Sequence, residues 1–127
     1  MQAIFLVGLG GAIGAIGRYG AGVLVGHFWR GSFPLATLAV NVFGSLAMGL
    51  LVGWLARTLP EGQHDIRLFV AVGLLGGFTT FSAFSLDVVA LIERGELPAA
   101  IGYVLLSVIV SVAALFVGLL AIRAVPA

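Results

Sequence analysis

Gly76-Gly77-Phe78-Thr79-Thr80-Phe81-Ser82-Ala83-Phe84-Ser85 interrupts an otherwise apolar segment that runs from about Ile66 to Ile92. Two glycines followed by alternating hydroxyls and phenylalanines are poor material for a uniform lipid-facing helix. A bilayer cannot satisfy free backbone groups, so irregular backbone at this depth must be buried in protein or line a polar path. The stretch predicts a third spanning helix broken near Gly76–Thr80. It points to a chain that moves or holds something small and polar inside a membrane.

Composition agrees. Of 127 residues, 61% are hydrophobic and 9% are charged. Soluble domains carry about 25% charged residues, so this chain cannot cover a water-facing surface. The length predicts a single domain, residues 1–127. The absence of cysteine excludes disulfides and thiolate-bound metals. A net charge of +1 supplies no basic field for nucleic acid, which is not an expected partner. The N-terminus lacks the charged n-region and cleavage site of a signal peptide, so the first apolar stretch is expected to stay in the mature protein.

A spanning helix needs about 20 apolar residues. The sequence predicts four, near 3–25, 34–56, 66–92 and 98–122, and hence an all-α multi-pass protein of the cell membrane with the lipid bilayer as its surroundings. Three short connections separate the spans. The first is His27-Phe28-Trp29-Arg30-Gly31-Ser32, with Trp29 as an interfacial anchor. The second, from Arg57 to Asp65, is the most polar and contains Pro60-Glu61-Gly62. The third is Glu93-Arg94-Gly95-Glu96-Leu97-Pro98.

Four spans put both termini on one side. That side carries Arg57, Arg67 and Arg123, and the other carries Arg30 and Arg94, joined by Arg18 if it lies near its end of span one. The positive-inside rule reads orientation from such an asymmetry, and here it is almost nil. A balanced chain is able to insert both ways and pair antiparallel; inverted pairs about an axis in the membrane plane are a known transport architecture. Small residues four apart (Gly10/Gly14, Gly22/Gly26, Ser45/Gly49/Gly53 and Gly73/Gly77) predict close helix contacts and a helix-packed oligomer.

Polar residues form stripes. Thr37, Asn41 and Ser45 are spaced by four and share one face of span two, covering about 12 Å. Asn41 is the only asparagine, and its amide must find partners or water. Tyr103, Ser107 and Ser111 repeat the spacing on span four. A lone membrane serine ordinarily bonds the carbonyl four residues back, but two matched lines of hydroxyls point to a polar track. Phe81 and Phe84 lie three apart. Aromatic rings are electropositive at their edges, so they can line an anion path without the full charge that would trap the ion.

Arg18, embedded in span one beside Tyr19, is costly in a membrane and functional by default. It either draws anions to a vestibule, or snorkels or pairs with an acid such as Asp87 or Glu93. A helix broken at Gly76–Thr80 frees carbonyls near the midplane that suit a hard cation such as sodium. Enzyme signatures are missing: the chain has no nucleotide loop, no His-Glu-x-x-His pattern and no Cys/His cluster. His27 and His64 fall in connections, and Ser82 has no base near it in sequence.

Along nearly its whole length the chain resembles the Fluc fluoride channels, also called the CrcB family. The resemblance rests on Gly17-Arg18-Tyr19, on Thr37-Leu38-Ala39-Val40-Asn41-Val42-Phe43-Gly44, and most specifically on Gly76-Gly77-Phe78-Thr79-Thr80-Phe81-Ser82-Ala83-Phe84. It implies a dual-topology antiparallel homodimer with two fluoride pores. It also implies that the ring edges of Phe81 and Phe84 face the fluoride path and that Asn41 is the pore asparagine. Tyr103, Ser107 and Ser111 match the family's polar track by spacing and residue type. Gly76 and Thr79 match positions whose carbonyls hold a central sodium ion at the dimer interface, and Arg18 matches the arginine near the pore mouth. Ala83 departs from the family's usual threonine.

On this reading the protein is a passive, fluoride-selective channel that lets fluoride leave the cytoplasm. Two rivals are a small proton-coupled anion exporter, which needs Asp87 or Glu93 as a titrating carboxylate, and a membrane scaffold that transports nothing.

Overall fold

The computed structural model describes residues 1–58 and 62–126. Pro60 and Glu61, read above as part of the second connection, lie outside the described residues. The described chain is helical: α1 Gln2–Phe28, α2 Leu35–Arg57, α3 Gln63–Ile66, a π-helical segment Arg67–Leu75, α4 Gly76–Phe78, α5 Phe81–Glu93 and α6 Leu97–Ala124. Four stretches are long and apolar enough to cross a membrane, with Gln63–Glu93 as the third. Each begins or ends a few residues beyond the predicted span.

Hydrogen bonds tie the two ends of the bundle. At the end holding the N-terminus, Gln2 donates to Asp65 at 3.2 Å, the Arg57 guanidinium donates to the Ile122 carbonyl, and the Gln63 amide donates to the Leu55 carbonyl. At the other end Ser32 donates to Glu96 at 3.2 Å and the Trp29 indole donates to the Phe33 carbonyl at 2.8 Å. Trp29 thus closes its own turn. Helix α5 stops at a Schellman turn. Gly95, at φ 77°, lets the Glu96 N–H reach the Leu91 carbonyl and its own N–H reach Ile92.

Glycines decide which helices pair. A methyl group on Gly77 would stand 2.6 Å from the Gly11 carbonyl oxygen, and one on Gly73 would stand 2.9 Å from that of Val7. The first half of the third span therefore lies backbone against backbone on α1, around Gly10 and Gly14. Helices α2 and α6 do the same: a methyl on Gly118 would stand 2.8 Å from the Leu50 nitrogen, and Gly49 meets Leu115. The Gly22/Gly26 pair behaves differently: among the described residues, a methyl on either would meet nothing within 4 Å.

The Arg67–Leu75 segment is π-helical where a regular helix was expected. Its Phe69 and Leu74 carbonyls are the groups that Gly10 and Gly14 of α1 pack against. Such wide turns are rare and gather at functional sites. The second half of the third span, α5, packs on α6 through Phe84, Leu91, Ala100 and Tyr103, with Phe33 and Leu38 alongside. The space between the two glycine-packed pairs holds the candidate site.

Candidate functional site

Between α4 and α5 the backbone takes a two-residue extended step. Thr79 has φ −83° and ψ 158°, and Thr80 has φ −152° and ψ 124°. Both threonines stabilise it locally. The Thr80 hydroxyl accepts the Ala83 N–H at 3.1 Å and caps α5. The Thr79 hydroxyl donates to the Leu75 carbonyl at 2.9 Å, the same carbonyl that receives the Thr79 N–H. Asn41 of α2 then grips the step from the side. Its amide oxygen accepts the Thr80 N–H at 2.8 Å and its amide nitrogen donates to the Thr80 carbonyl at 3.0 Å.

Beside the step lies a cavity of about 420 Å³. Its walls include Asn41 and Ser45 from α2, Thr79, Thr80, Phe81 and Phe84 from the third span, and Ser107 and Ser111 from α6. Helical spacing accounts for the two stripes. Asn41 and Ser45 are one turn apart, as are Ser107 and Ser111, so each helix presents its pair on one face. The Ser107 and Ser111 hydroxyls are buried, and neither has a hydrogen-bond partner among the described residues. The back-bond usual for a membrane serine is not made at either position. Two buried hydroxyl dipoles are therefore available to an anion. The rings of Phe81 and Phe84 sit 5.5 Å apart at an interplanar angle of 49°. Phe84 is 8% exposed and locked against Tyr103, whereas Phe81 is 78% exposed and faces out of the chain.

The structure does not bring Tyr103 and Arg18 into this cavity. Tyr103 is fully buried, and its hydroxyl donates to Asp87 at 3.0 Å. Arg18 lines a second cavity of about 360 Å³ with Tyr19, Gly22, Thr37, Thr80 and Ala83. Its Nε donates to the Gly77 carbonyl at 3.3 Å, so the polar partner of this arginine is a backbone oxygen rather than Asp87 or Glu93. Thr80 belongs to both cavities and stands between them. Ala83 presents a methyl to the second cavity where the resembling family usually has a hydroxyl, and its N–H still completes the α5 cap.

Sequence reasoning missed Thr80 and the Tyr103–Asp87 bond. A threonine three residues before the N–H it caps is a recognisable helix start, so Thr80 left a readable signal. Tyr103 and Asp87 belong to different helices, and nothing local to either marks the pairing.

Among the described residues, no three histidines or carboxylates gather to hold a metal ion. The polar oxygens available for a cation are backbone carbonyls at the step. Among the described residues no hydrogen bond reaches the carbonyl of Thr79, and the Thr80 N–H that a continuous helix would give to the Gly76 carbonyl goes to Asn41.

Comparison with known proteins places this geometry. Residues 5–119 match the family model described as CrcB-like protein, Camphor Resistance (CrcB). Three relatives carry the name fluoride-specific ion channel FluC. The one from Rhodospirillum centenum is 50% identical, with 97% of each chain covered. That from Paracoccus denitrificans is 54% identical over 94% of each. That from a Chelativorans species is 55% identical over 98% of this chain and 99% of the relative. With a family match over most of its length and relatives at half identity end to end, the chain belongs to the CrcB family.

Proposed function

We propose that this protein is a fluoride-selective ion channel of the cell membrane, and not an enzyme. The observation that carries the reading is the pair of buried, unpartnered hydroxyls of Ser107 and Ser111 beside the Phe81 and Phe84 rings. The printed names of the relatives supply the ion. Fluoride is small and strongly hydrated, so it leaves water only if donors replace its shell. Ser107 and Ser111 donate O–H groups, Asn41 keeps one N–H beyond the two bonds it makes to Thr80, and the rings offer polarised C–H edges. Each contact is weak enough to release the ion, as conduction requires. Tyr103, held by Asp87, anchors the far end of the α6 track.

Flow is passive and follows the fluoride gradient outward, relieving a cell that has taken up the neutral acid. Two chains inserted in opposite directions form the working dimer and supply two pores. Phe81, exposed in the single chain, then meets the second copy. Arg18 at the second cavity draws anions toward the pore mouth. Asp87 lines neither cavity and is bonded to Tyr103, which counts against a proton-coupled exporter.

The extended step at Thr79–Thr80 acts as the break in the third span, at the dimer interface. Its donor set is made of neutral carbonyl oxygens with no carboxylate; the Thr79 oxygen lacks a hydrogen-bond partner among the described residues, and the Gly76 oxygen has lost the Thr80 N–H to Asn41. That chemistry fits a monovalent hard cation, and sodium is the proposed occupant. Its charge, held inside the membrane, lowers the cost of bringing an anion nearby.

Purified protein in liposomes, loaded with fluoride and read by a fluoride electrode beside a chloride control, tests the channel. The expected result is rapid fluoride loss with chloride retained in the unaltered chain, and strongly reduced flux in Phe81→Ile and Phe84→Ile. No fluoride loss from folded dimeric protein would overturn the channel reading.

A further inference from the structure

We infer that Asn41 is a positioning residue that opens a cation site in the third span: by taking the Thr80 N–H, it frees the Gly76 carbonyl and aims the Thr79 carbonyl away from α2. The inference rests on the sodium reading above and deepens it.

In a continuous helix the Thr80 N–H would bond the carbonyl four residues back, that of Gly76. Here that N–H goes instead to the Asn41 amide oxygen at 2.8 Å. Gly76 thereby loses its regular donor. The same bond fixes a second carbonyl. The Thr80 N–H and the Thr79 C=O belong to one peptide unit, and the chain has no cis peptide bond among the described residues. In a planar trans unit the N–H and C=O point in opposite directions. With the N–H turned toward α2, the Thr79 oxygen must face away from it.

The second arm of the amide makes the arrangement rigid. The Asn41 nitrogen donates to the Thr80 carbonyl at 3.0 Å, which belongs to the next peptide unit. One side chain therefore spans two consecutive peptide planes, and neither can rotate without breaking a bond. Thr80 completes the arrangement by spending its hydroxyl on the Ala83 N–H, so that donor cannot turn back to the Thr79 oxygen. Arg18 occupies the Gly77 carbonyl, so that oxygen is not available to a cation.

Asn41 also lines the anion cavity with its remaining N–H. A single amide then links the two ions of the proposed mechanism. Losing it should affect the pore and, separately, the response to sodium, and only the second effect is diagnostic. Apolar Asn41→Leu keeps the side-chain volume, and Asn41→Ala removes it. In both, the Thr80 N–H is free to return to Gly76.

The experiment is a melting series of the full-length dimer in detergent. Sodium chloride is titrated against N-methylglucamine chloride at constant ionic strength, and fluoride flux is measured in parallel. A ligand that binds only the folded state raises the melting temperature with its concentration. The unaltered protein should show a sodium-dependent rise. Asn41→Leu and Asn41→Ala should lose it, or need at least about tenfold more sodium for half of it. Ser111→Ala, which touches the anion cavity and leaves the clamp intact, should lose flux and keep the full sodium response. An Asn41 variant that folds, loses flux and retains the unaltered sodium response overturns the inference and leaves Asn41 as a pore donor alone. Absence of any sodium response in the unaltered protein overturns the cation reading and the inference with it, a result visible before any variant is made.

Discussion

Ser107 and Ser111 are the residues whose chemistry is least accounted for by folding. A buried hydroxyl with no partner costs about 1–3 kcal/mol, and this chain carries two of them one helical turn apart. Alanine at either position removes the cost along with the dipole. Ser107→Ala and Ser111→Ala should therefore leave stability unchanged or slightly raised while fluoride flux falls by about tenfold or more, the equivalent of one lost donor at about 1.4 kcal/mol. Chemical unfolding in detergent and liposome efflux, run on the same preparations, measure the two quantities. A loss of stability matching the loss of flux would mean that these hydroxyls serve packing. Tyr103 makes the opposite case: it is fully buried and its hydroxyl already has a partner in Asp87. The stripe of three was legible in the four-residue spacing. What the spacing could not convey is that one member is engaged and two are not, because that depends on Asp87 arriving from a different helix.

At the scale of elements, the spans were readable because a bilayer leaves little choice: about 20 apolar residues between polar connections can only be a helix. The glycine pairs were readable as contacts but not as partners. Gly10/Gly14 found the third span, Gly49 found Gly118, and Gly22/Gly26 found no close neighbour among the described residues. The π-helical course of Arg67–Leu75 left no mark in composition, since it arises where backbone lies on the backbone of α1. The step between α4 and α5 was signalled by its glycines and hydroxyls, yet its stabiliser, Asn41, lies 39 residues away from Thr80. Thr80 itself tests how local the step is. Thr80→Val keeps the β-branched shape and removes the cap on α5. It should lower stability by about 0.5–2 kcal/mol while Asn41 continues to hold the Thr80 backbone. Thr80→Ser, which keeps the hydroxyl, should restore most of the loss. If Thr80→Val melts with the unaltered protein, the hydroxyl contributes nothing to the start of α5.

The whole molecule is nearly symmetric in charge. Arg57, Arg67 and Arg123 mark one end and Arg30 and Arg94 the other, while Arg18 is drawn inward to the Gly77 carbonyl and belongs to neither. Orientation follows the count of Lys and Arg in short loops and near span ends, so a difference of one leaves insertion close to undecided. In the antiparallel dimer proposed above, an undecided chain would supply both orientations from a single sequence. The argument makes a quantitative demand. A reporter fused to the C-terminus and active on only one side of the membrane should find comparable populations of the two orientations. Ala124→Arg with Val125→Arg makes the count five against two in favour of the terminal end, and Glu93→Arg with Glu96→Arg and Arg123→Gln makes it four against two in favour of the other, so each variant should insert mostly one way and in opposite senses. Alone, either variant should lose fluoride efflux from cells, because no inverted partner is made. Expressed together, they should restore it, since each supplies the orientation the other lacks. A single dominant orientation of the unaltered chain, or full efflux from either biased variant alone, would remove the antiparallel dimer and leave the two-pore arrangement without support.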